Sequence, residues 1–400
     1  IADINVADKT VLMRVDFNVP LDAEGNITND NRIQAALPSI QKVIADGGKL
    51  VLMSHLGRPK GQVKPEFSLA PAAIRLGEIL GKEVKLGPAD AIAGDDAKAL
   101  IAAMAPGDVV CLENVRFDSR EDTKEDITLV EQFGAEIAAL GDVYVNDAFG
   151  TCHRKHASMW GCPKAVQANG GAAVAGFLVE KEIKYLHGAL AEPKRPFVAI
   201  LGGAKVSDKI KLIGTLLDKV DTILIGGAMA YTLLKAHGRD IGDSLVEENQ
   251  VEAMKALLAE AGDKIKLPAD NLMASEFGSD VAIETEGKGI PSGMMGLDIG
   301  PMAAKEYADI VANAGTVVWN GPMGVFEREV YAGGTRAVAQ AMAEATSKGG
   351  VTVIGGGDSA TAIIQFGFAD QVTHVSTGGG ASLTYLEGKP MPPIDVLDAE

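Results

Sequence analysis

Only three cysteines, Cys111, Cys152 and Cys162, occur in the 400 residues. So small and odd a number rules out a disulfide framework and points to a reducing compartment. The chain has no run of about 18 apolar residues, which excludes a membrane-spanning helix. It has no excess of positive charge. The formal net charge is −17, which argues against a general binder of nucleic acid or anionic membranes. Short-period repeats and low-complexity tracts are missing as well. The P-loop pattern G-x-x-x-x-G-K-[ST] occurs nowhere, nor does the protein-kinase pair H-R-D and D-F-G.

What remains is a chain longer than one core usually holds, so two domains are expected. It is 47% hydrophobic and 23% charged, with 47 glycines. Most glycine doublets and triplets follow apolar runs, the grammar of an α/β enzyme. In the first half, strand-like runs at 10–15, 49–54, 83–86, 108–112 and 142–145 alternate with helical periods at 33–45, 68–80, 95–104 and 127–140. Such crossovers predict a parallel sheet covered by helices on both faces. Ligands bind such sheets at the carboxyl edge. Charged and polar residues gather there: Asp16 and Asn18, His55 and Arg58, Arg116, then Arg154. Seven of the eleven arginines lie within 1–180. The guanidinium fork matches phosphate and carboxylate. Each arginine can instead pair with a nearby acid, as Arg14 can with Asp16.

A helix at 177–191, ended by Pro193 and Pro196, reads as the interdomain connector or, on spacing alone, as an ordinary surface helix. Beyond it, strands at 197–201, 222–225, 316–319, 351–354 and 372–376 end in glycines. Charged strand ends suit a small anion held by side chains. Glycine ends suit a larger ligand lying against backbone.

The segment 351–362, VTVIGGGDSATA, is a strand, a glycine turn and a helix start that Asp358 or Ser359 can cap. Together these make an anion site. An acid there repels phosphate unless a cation intervenes, so Asp358 points to Mg²⁺. The turn also fits G-x-G-x-x-A. A dinucleotide fold then needs an acid about 20 residues on. The next strand ends instead in Thr377 and a second glycine triplet, which weakens a nicotinamide reading. Lys205 and Lys209 follow Gly202-Gly203. A helix beginning near Ser207 puts Lys205 in its entry turn, where an ammonium can follow a moving phosphoryl group. The bland alternative is a solvated lysine. Cys152-His153-x-x-His156 with Cys162 can be read as a zinc site, but the C-x₂-C partner is missing and Arg154 suits an anion better. Glu327 can be a base, a nucleotide-hydroxyl ligand or a surface acid. His187, His237 and Arg239 fall on helices or their ends and suggest no catalytic role.

Ten ordered segments carry a resemblance: RVDFNVP (14–20), SHLGRP (54–59), ENVRF (113–117), VNDAFG (145–150), GGAKVSDKI (202–210), GGAMAYT (226–232), MGLDIGP (295–301), WNGPMGVFE (319–327), GGGDSATA (355–362) and STGGGAS (376–382). With them the chain resembles the phosphoglycerate kinases of bacterial type over essentially its whole length. The resemblance implies two doubly wound parallel-sheet, Rossmann-like α/β domains joined by a hinge helix. These are a 3-phosphoglycerate-binding domain at 1–175, the helix at 176–192 and a nucleotide-binding domain at 193–384. A tail from about 385 to 400 returns to the first domain. It further implies reversible transfer of the ATP γ-phosphoryl group to the carboxylate of 3-phosphoglycerate, giving 1,3-bisphosphoglycerate and ADP, in a cleft closed by hinge motion. Mg²⁺ is expected as MgATP or MgADP, and the setting as a cytoplasmic monomer without nucleic-acid or membrane partners.

Carried over position by position, Asp16, Asn18, Arg32, His55, Arg58, Arg116 and Arg154 would hold phosphoglycerate. Arg32, Lys205, Gly357 and Gly380 would act in catalysis. Lys205, Lys209, Asn320, Gly355, Gly356, Gly357, Asp358 and Ser359 would meet the nucleotide phosphates, with Asp358 on the metal. Gly226, Gly227, Met295, Gly296, Leu297 and Val325 would line the adenosine, and Glu327 its ribose. Cys152 and Lys155 depart from the family's usual alanines, Met294 from a tryptophan, and Thr384 from an acid. The implied reaction also accounts for the missing histidine–acid pair. A carboxylate acceptor is already ionised near pH 7 and needs no base. It needs in-line positioning and neutralised charge.

Overall fold

A computed structural model describes residues 1–285 and 289–398. They form two compact units, Ile1–Ile183 with Pro390–Glu400, and Lys184–Lys389. The doubly wound parallel sheets expected from the sequence are present, one in each unit.

The first unit contains β1 (Thr10–Val15), β2 (Lys49–Met53), β3 (Val84–Leu86), β4 (Val109–Cys111), β5 (Val143–Asp147) and β6 (Ala173–Ala175), all parallel in the order β3-β4-β2-β1-β5-β6. Alternate residues of β1 enter different cores. Val11, Met13 and Val15 join Ile33, Ile40 and Leu50, while Leu12 joins Val51, Val110 and Phe133. This is the period-two pattern of a strand covered on both faces. The sheet order reverses direction between β1 and β5, so the switch point lies where the ends of those strands open.

The helix Ala70–Leu80 starts two residues after Ser68, whose Oγ accepts from the Ala70 N–H at 3.1 Å. It stops at Gly81, which adopts φ +64°. The boundary between the units falls inside the helix Phe177–Ala191. Asp147 Oδ1 accepts from the Leu178 and Val179 N–H groups of its first turn at 2.9 and 3.4 Å. The tail, which periodicity leaves unplaced, lies on the first unit. Asp398 donates its N–H to Ala173 O at 2.8 Å, and Gln167 Nε2 donates to Val396 O at 2.9 Å. Residues 399 and 400 lie outside the described residues.

The second unit holds β7 (Phe197–Leu201), β8 (Thr222–Ile225), β9 (Ile265–Lys266), β10 (Asn271–Ala274), β11 (Ile283–Glu284), β12 (Met295–Ile299), β13 (Thr316–Asn320), β14 (Val351–Gly355) and β15 (His374–Val375). Six form the parallel sheet β15-β14-β13-β7-β8-β9, and three form a small sheet, β11-β10-β12, which is antiparallel. That small sheet is not anticipated by the alternating pattern.

Two local expectations are corrected. The helix after β14 runs Gly357–Gln365 and its N-cap is Gly356, not Asp358 or Ser359. Gly356 takes φ +90°, which glycine adopts without steric cost. The Ser359 hydroxyl is engaged elsewhere, donating to Gly355 O at 2.6 Å and accepting from the Gly321 N–H at 3.0 Å. Near Ser207 the helical start is 3₁₀ rather than α, with Lys205 at its N-cap. A 3₁₀ turn, Val206–Asp208, precedes the helix Ile210–Leu217, and Glu247 accepts from both the N–H and the hydroxyl of Ser207, at 2.9 and 2.6 Å.

Candidate active site

At the carboxyl edge of the first sheet, each loop is tied to its neighbour. Asp16, just past β1, forms an ion pair with Arg32, the second residue of the helix Asn31–Ala45 that follows the same loop. Asn18 Oδ1 accepts from the Gly57 N–H at 2.9 Å, and Arg116 Nη1 donates to Gly57 O at 2.8 Å. Ser54 Oγ accepts from the Phe17 N–H at 2.8 Å. The loops after β1, β2 and β4 therefore form one braced rim. Arg58 and Arg154 are exposed on it, Arg32 is partly so, and Arg116 is buried.

Arg14 does not pair with Asp16, as its position had suggested. Its side chain is fully buried and turns the other way, its Nε donating to Ser158 Oγ at 2.9 Å and its Nη2 lying 3.1 Å from His55 Nδ1. The acid near β1 is already taken by Arg32.

The histidines here are held neutral. Burial, then Arg14 and Arg116, keeps His55 well below the ordinary range. Burial, then Arg116 and Arg14, pushes His156 down to about 3. Burial and Arg154 push His153 to about 4. Arg154 Nε donates to His153 Nε2 at 2.9 Å, so the His153 proton sits on Nδ1. That buried Nδ1 has no hydrogen-bond partner among the described residues, and neither has His156 Nδ1; Arg116 Nε makes no hydrogen bond there but forms an ion pair with Asp122 Oδ2 at 3.3 Å. Cys152 and Cys162 are fully buried. Among the described residues no three His, Cys, Asp or Glu side chains converge as a metal site, so the zinc reading fails.

In the second unit the strand ends carry backbone and few charges. Lys209, at the start of the helix Ile210–Leu217, donates to Asn320 Oδ1 at the end of β13. Burial lowers the Lys209 pKa, opposed by Asp208 and Asp358. Asn320 Nδ2 is buried without a partner among the described residues. Gly356 faces it, and a Cβ there would lie 3.1 Å from Asn320 Nδ2. Lys205, Gly357, Asp358 and Gly380 are exposed at the same sheet edge. Gly227 has φ +67°, and a Cβ there would stand 2.5 Å from Gly203 N, so these two glycine turns touch through bare backbone.

The small antiparallel sheet supplies the remaining candidates. Met295, Gly296 and Leu297 lie on β12, and the Val325 N–H donates to Leu297 O at 2.9 Å. Leu297, Met295 and Val325 pack with Ala274 and Tyr331 in one apolar cluster. Met294 packs in a neighbouring cluster with Tyr231 and Met273. Glu327 is exposed.

Three supporting residues escape a reading based on strand ends. Ser158 carries no charge to mark it, and Glu121 is hidden in the hydrophilic run DSREDTKED. Asp298 braces the loop after β13 from below, and a Cβ on Gly324 would lie 2.2 Å from its Oδ1.

A family model described as phosphoglycerate kinase matches residues 1–389. Phosphoglycerate kinase from Clostridium botulinum (strain Alaska E43 / Type E3) is 53% identical over 401 residues, covering 100% of this chain and 98% of the relative. That from Chloroherpeton thalassium is 54% identical over 399 residues, covering 99% and 98%. Among solved structures, phosphoglycerate kinase from Coxiella burnetii superposes with a TM-score of 0.87 at 40% identity, over 99% of this chain and 97% of that one. The enzyme from Pyrococcus horikoshii OT3 gives 0.84 at 33% identity, over 99% and 98%.

Proposed function

The chain belongs to the phosphoglycerate kinase family, and from that premise we propose how its residues divide the work. The reaction is the reversible transfer of the ATP γ-phosphoryl group to the carboxylate of 3-phosphoglycerate. The first unit takes the acid. Arg58, Arg116, Arg154 and His55 hold its phosphate and carboxylate, while Asp16 and Asn18 orient the rim that carries Arg32. The second unit takes the nucleotide. Lys205, Lys209, Asn320 and the backbone around Gly355, Gly356, Gly357 and Ser359 receive the phosphates. Gly226, Gly227, Met295, Gly296, Leu297 and Val325 receive the adenosine, and Glu327 the ribose.

The observation that carries this division is the set of buried nitrogens left without partners at strand ends. In the first unit they are His153 Nδ1 and His156 Nδ1, beside Arg116, whose Nε is engaged only by the Asp122 carboxylate at 3.3 Å; in the second, Asn320 Nδ2. Folded proteins rarely bury such groups unsatisfied, and an anionic ligand supplies the missing acceptors. The two histidines of the first set are weak bases, pushed down to about 4 and 3, and a carboxylate nucleophile requires no base. Charge that develops on the transferring phosphoryl group is met by Arg32, Lys205 and the amides of Gly357 and Gly380.

Asp358 fits a cation delivered with the nucleotide. It is one exposed carboxylate in the first turn of a helix, near enough to Lys209 to affect its titration. Mg²⁺ is typically held by one or two carboxylates plus substrate phosphates rather than by a protein cage. When bound, it neutralises phosphate charge. Direct transfer requires the two ligands to meet, and we assign the motion that joins them to the helix Phe177–Ala191. The free, buried cysteines fit a cytoplasmic setting.

The test mixes enzyme, MgATP and 3-phosphoglycerate and traps the acyl phosphate with hydroxylamine. Arg32→Ala is expected to lower kcat by on the order of 10³, the scale of a transition-state arginine, at unchanged MgATP affinity. An equal loss of MgATP affinity would remove Arg32 from the transition state.

A further inference from the structure

Behind the exposed cations of the first unit runs a buried chain of hydrogen bonds to which the transfer step assigns no part. Glu121 is fully buried. Its Oε2 accepts from the Ser158 N–H at 2.9 Å, and its Oε1 from the Ser158 hydroxyl at 2.6 Å. With its proton directed to Glu121, the hydroxyl offers a lone pair to Arg14, whose Nε donates to it at 2.9 Å. Arg14 Nη1 donates to Val15 O, and Nη2 lies 3.1 Å from His55 Nδ1. A guanidinium has donors only. His55 Nδ1 therefore accepts, and the ring proton sits on Nε2. Among the described residues, Nε2 has no protein partner.

We propose that Glu121 is a positioning residue for the acid-binding rim: through Ser158 and Arg14 it fixes His55 as the neutral Nε2–H tautomer, a single N–H donor for phosphoglycerate. The proposal rests on His55 being a contact of the acid; the tautomer does not depend on that contact.

Three observations point to Glu121 as the origin of the chain. Arg14 is a fully buried cation and requires a counter-charge, Asp16 is engaged by Arg32, and Glu121, which burial pushes up to about 7, is drawn back toward ionisation by Arg14. Both Glu121 oxygens are bound to one residue, which sets the direction of the Ser158 hydroxyl. A second proton on His55 would fall on Nδ1, against the Arg14 N–H. Arg14 and Arg116 already oppose any charge on that ring. A neutral donor directs the acid without adding charge to a rim that already carries Arg32, Arg58, Arg116 and Arg154.

The experiment is a long-range ¹H–¹⁵N correlation spectrum of the full chain, in which the ring nitrogens report the tautomer directly. His55→Gln identifies the His55 signals among the six histidines. The wild type is expected to show His55 as Nε2–H and neutral from about pH 6 to 8. Ser158→Ala breaks the relay but keeps the Glu121 bond to the Ser158 backbone, and Glu121→Gln removes the charge. In both, the single tautomer is expected to give way to a mixture. The KM for 3-phosphoglycerate should rise by roughly tenfold, the scale of one hydrogen bond to a charged group, at nearly constant kcat and MgATP KM. Circular dichroism confirms that each variant is folded. A wild-type His55 proton on Nδ1 overturns the proposal without any variant. So do two folded variants with unchanged KM for the acid. His55 signals unmoved by saturating 3-phosphoglycerate would overturn the acid contact itself, an outcome separable from the tautomer.

Discussion

Replacing Gly357 with alanine separates a demand of the fold from a demand of the ligand. Gly357 opens the helix Gly357–Gln365, is exposed, and has no strained φ. A Cβ placed there meets nothing within 4 Å. The fold therefore gives no reason for glycine. Alanine is the better helix former by up to about 1 kcal/mol and narrows the unfolded ensemble, so Tm should hold or rise by roughly 2–4 °C for a unit of this size. The ligand gives the opposite reason. If the Gly357 amide meets the moving phosphoryl group, a methyl group beside it displaces one donor, which costs kcat on the order of 10². The assay pairs a thermal melt with initial rates of hydroxylamine-trapped acyl phosphate. Gly356→Ala is the control, because φ +90° and the 3.1 Å approach to Asn320 Nδ2 should lower both Tm and activity. A Gly357→Ala enzyme with full kcat and unchanged KM for MgATP would refute the role of this amide.

Two further outcomes follow from buried groups. Burial pushes Asp298 up to about 7, against the bonds it accepts from the Gly334 and Ile299 N–H groups. A carboxyl raised in the fold stabilises below its unfolded pKa near 4 and loses that contribution as pH rises through 7. Relative to a non-titrating Asp298→Asn, the wild type should lose on the order of 4 kcal/mol between pH 4 and 7, read from denaturant melts at each pH; a difference independent of pH would contradict this. The histidine contributions, lost in the opposite direction as pH falls through 6.5, are common to both proteins and cancel. The thiols of Cys111 and Cys152 are pushed up to about 12 by burial, and that of Cys162 higher still. All three should stay unreactive to a thiol-specific dye until the chain unfolds. Rapid labelling of Cys152 in the native enzyme would overturn that reading.

Much of the parallel architecture can be read from local pattern. Strands β7 and β8 occupy the expected residues because each is a short, largely apolar run bounded by turns, and β1 does so although Arg14 interrupts its apolar run. The strand-end residues were likewise legible, since topology alone delivers them to the carboxyl edge. The small antiparallel sheet was not. β11 has two residues, β12 contains Gly296, and the register shifts between Leu272 and Met273. Such pairing is fixed by tertiary contact rather than periodicity. The cap at Gly356 was missed because propensity favours Asp358 and Ser359, while the Ser359 hydroxyl is claimed by Gly355 and Gly321. Glu121 was missed because charge in a hydrophilic run reads as solvated. Only the fold reveals that this acid is buried behind the rim, near Arg14 and Arg116.

In the proposed division, charged strand ends in one unit hold the acid and glycine strand ends in the other hold the nucleotide. Calorimetry on Asp358→Asn tests it most directly, with MgATP and 3-phosphoglycerate titrated separately. MgATP affinity should fall by roughly tenfold or more, the loss of one metal-directed carboxylate, while 3-phosphoglycerate binds as in the wild type. Equal weakening of both ligands, or of neither, would contradict it.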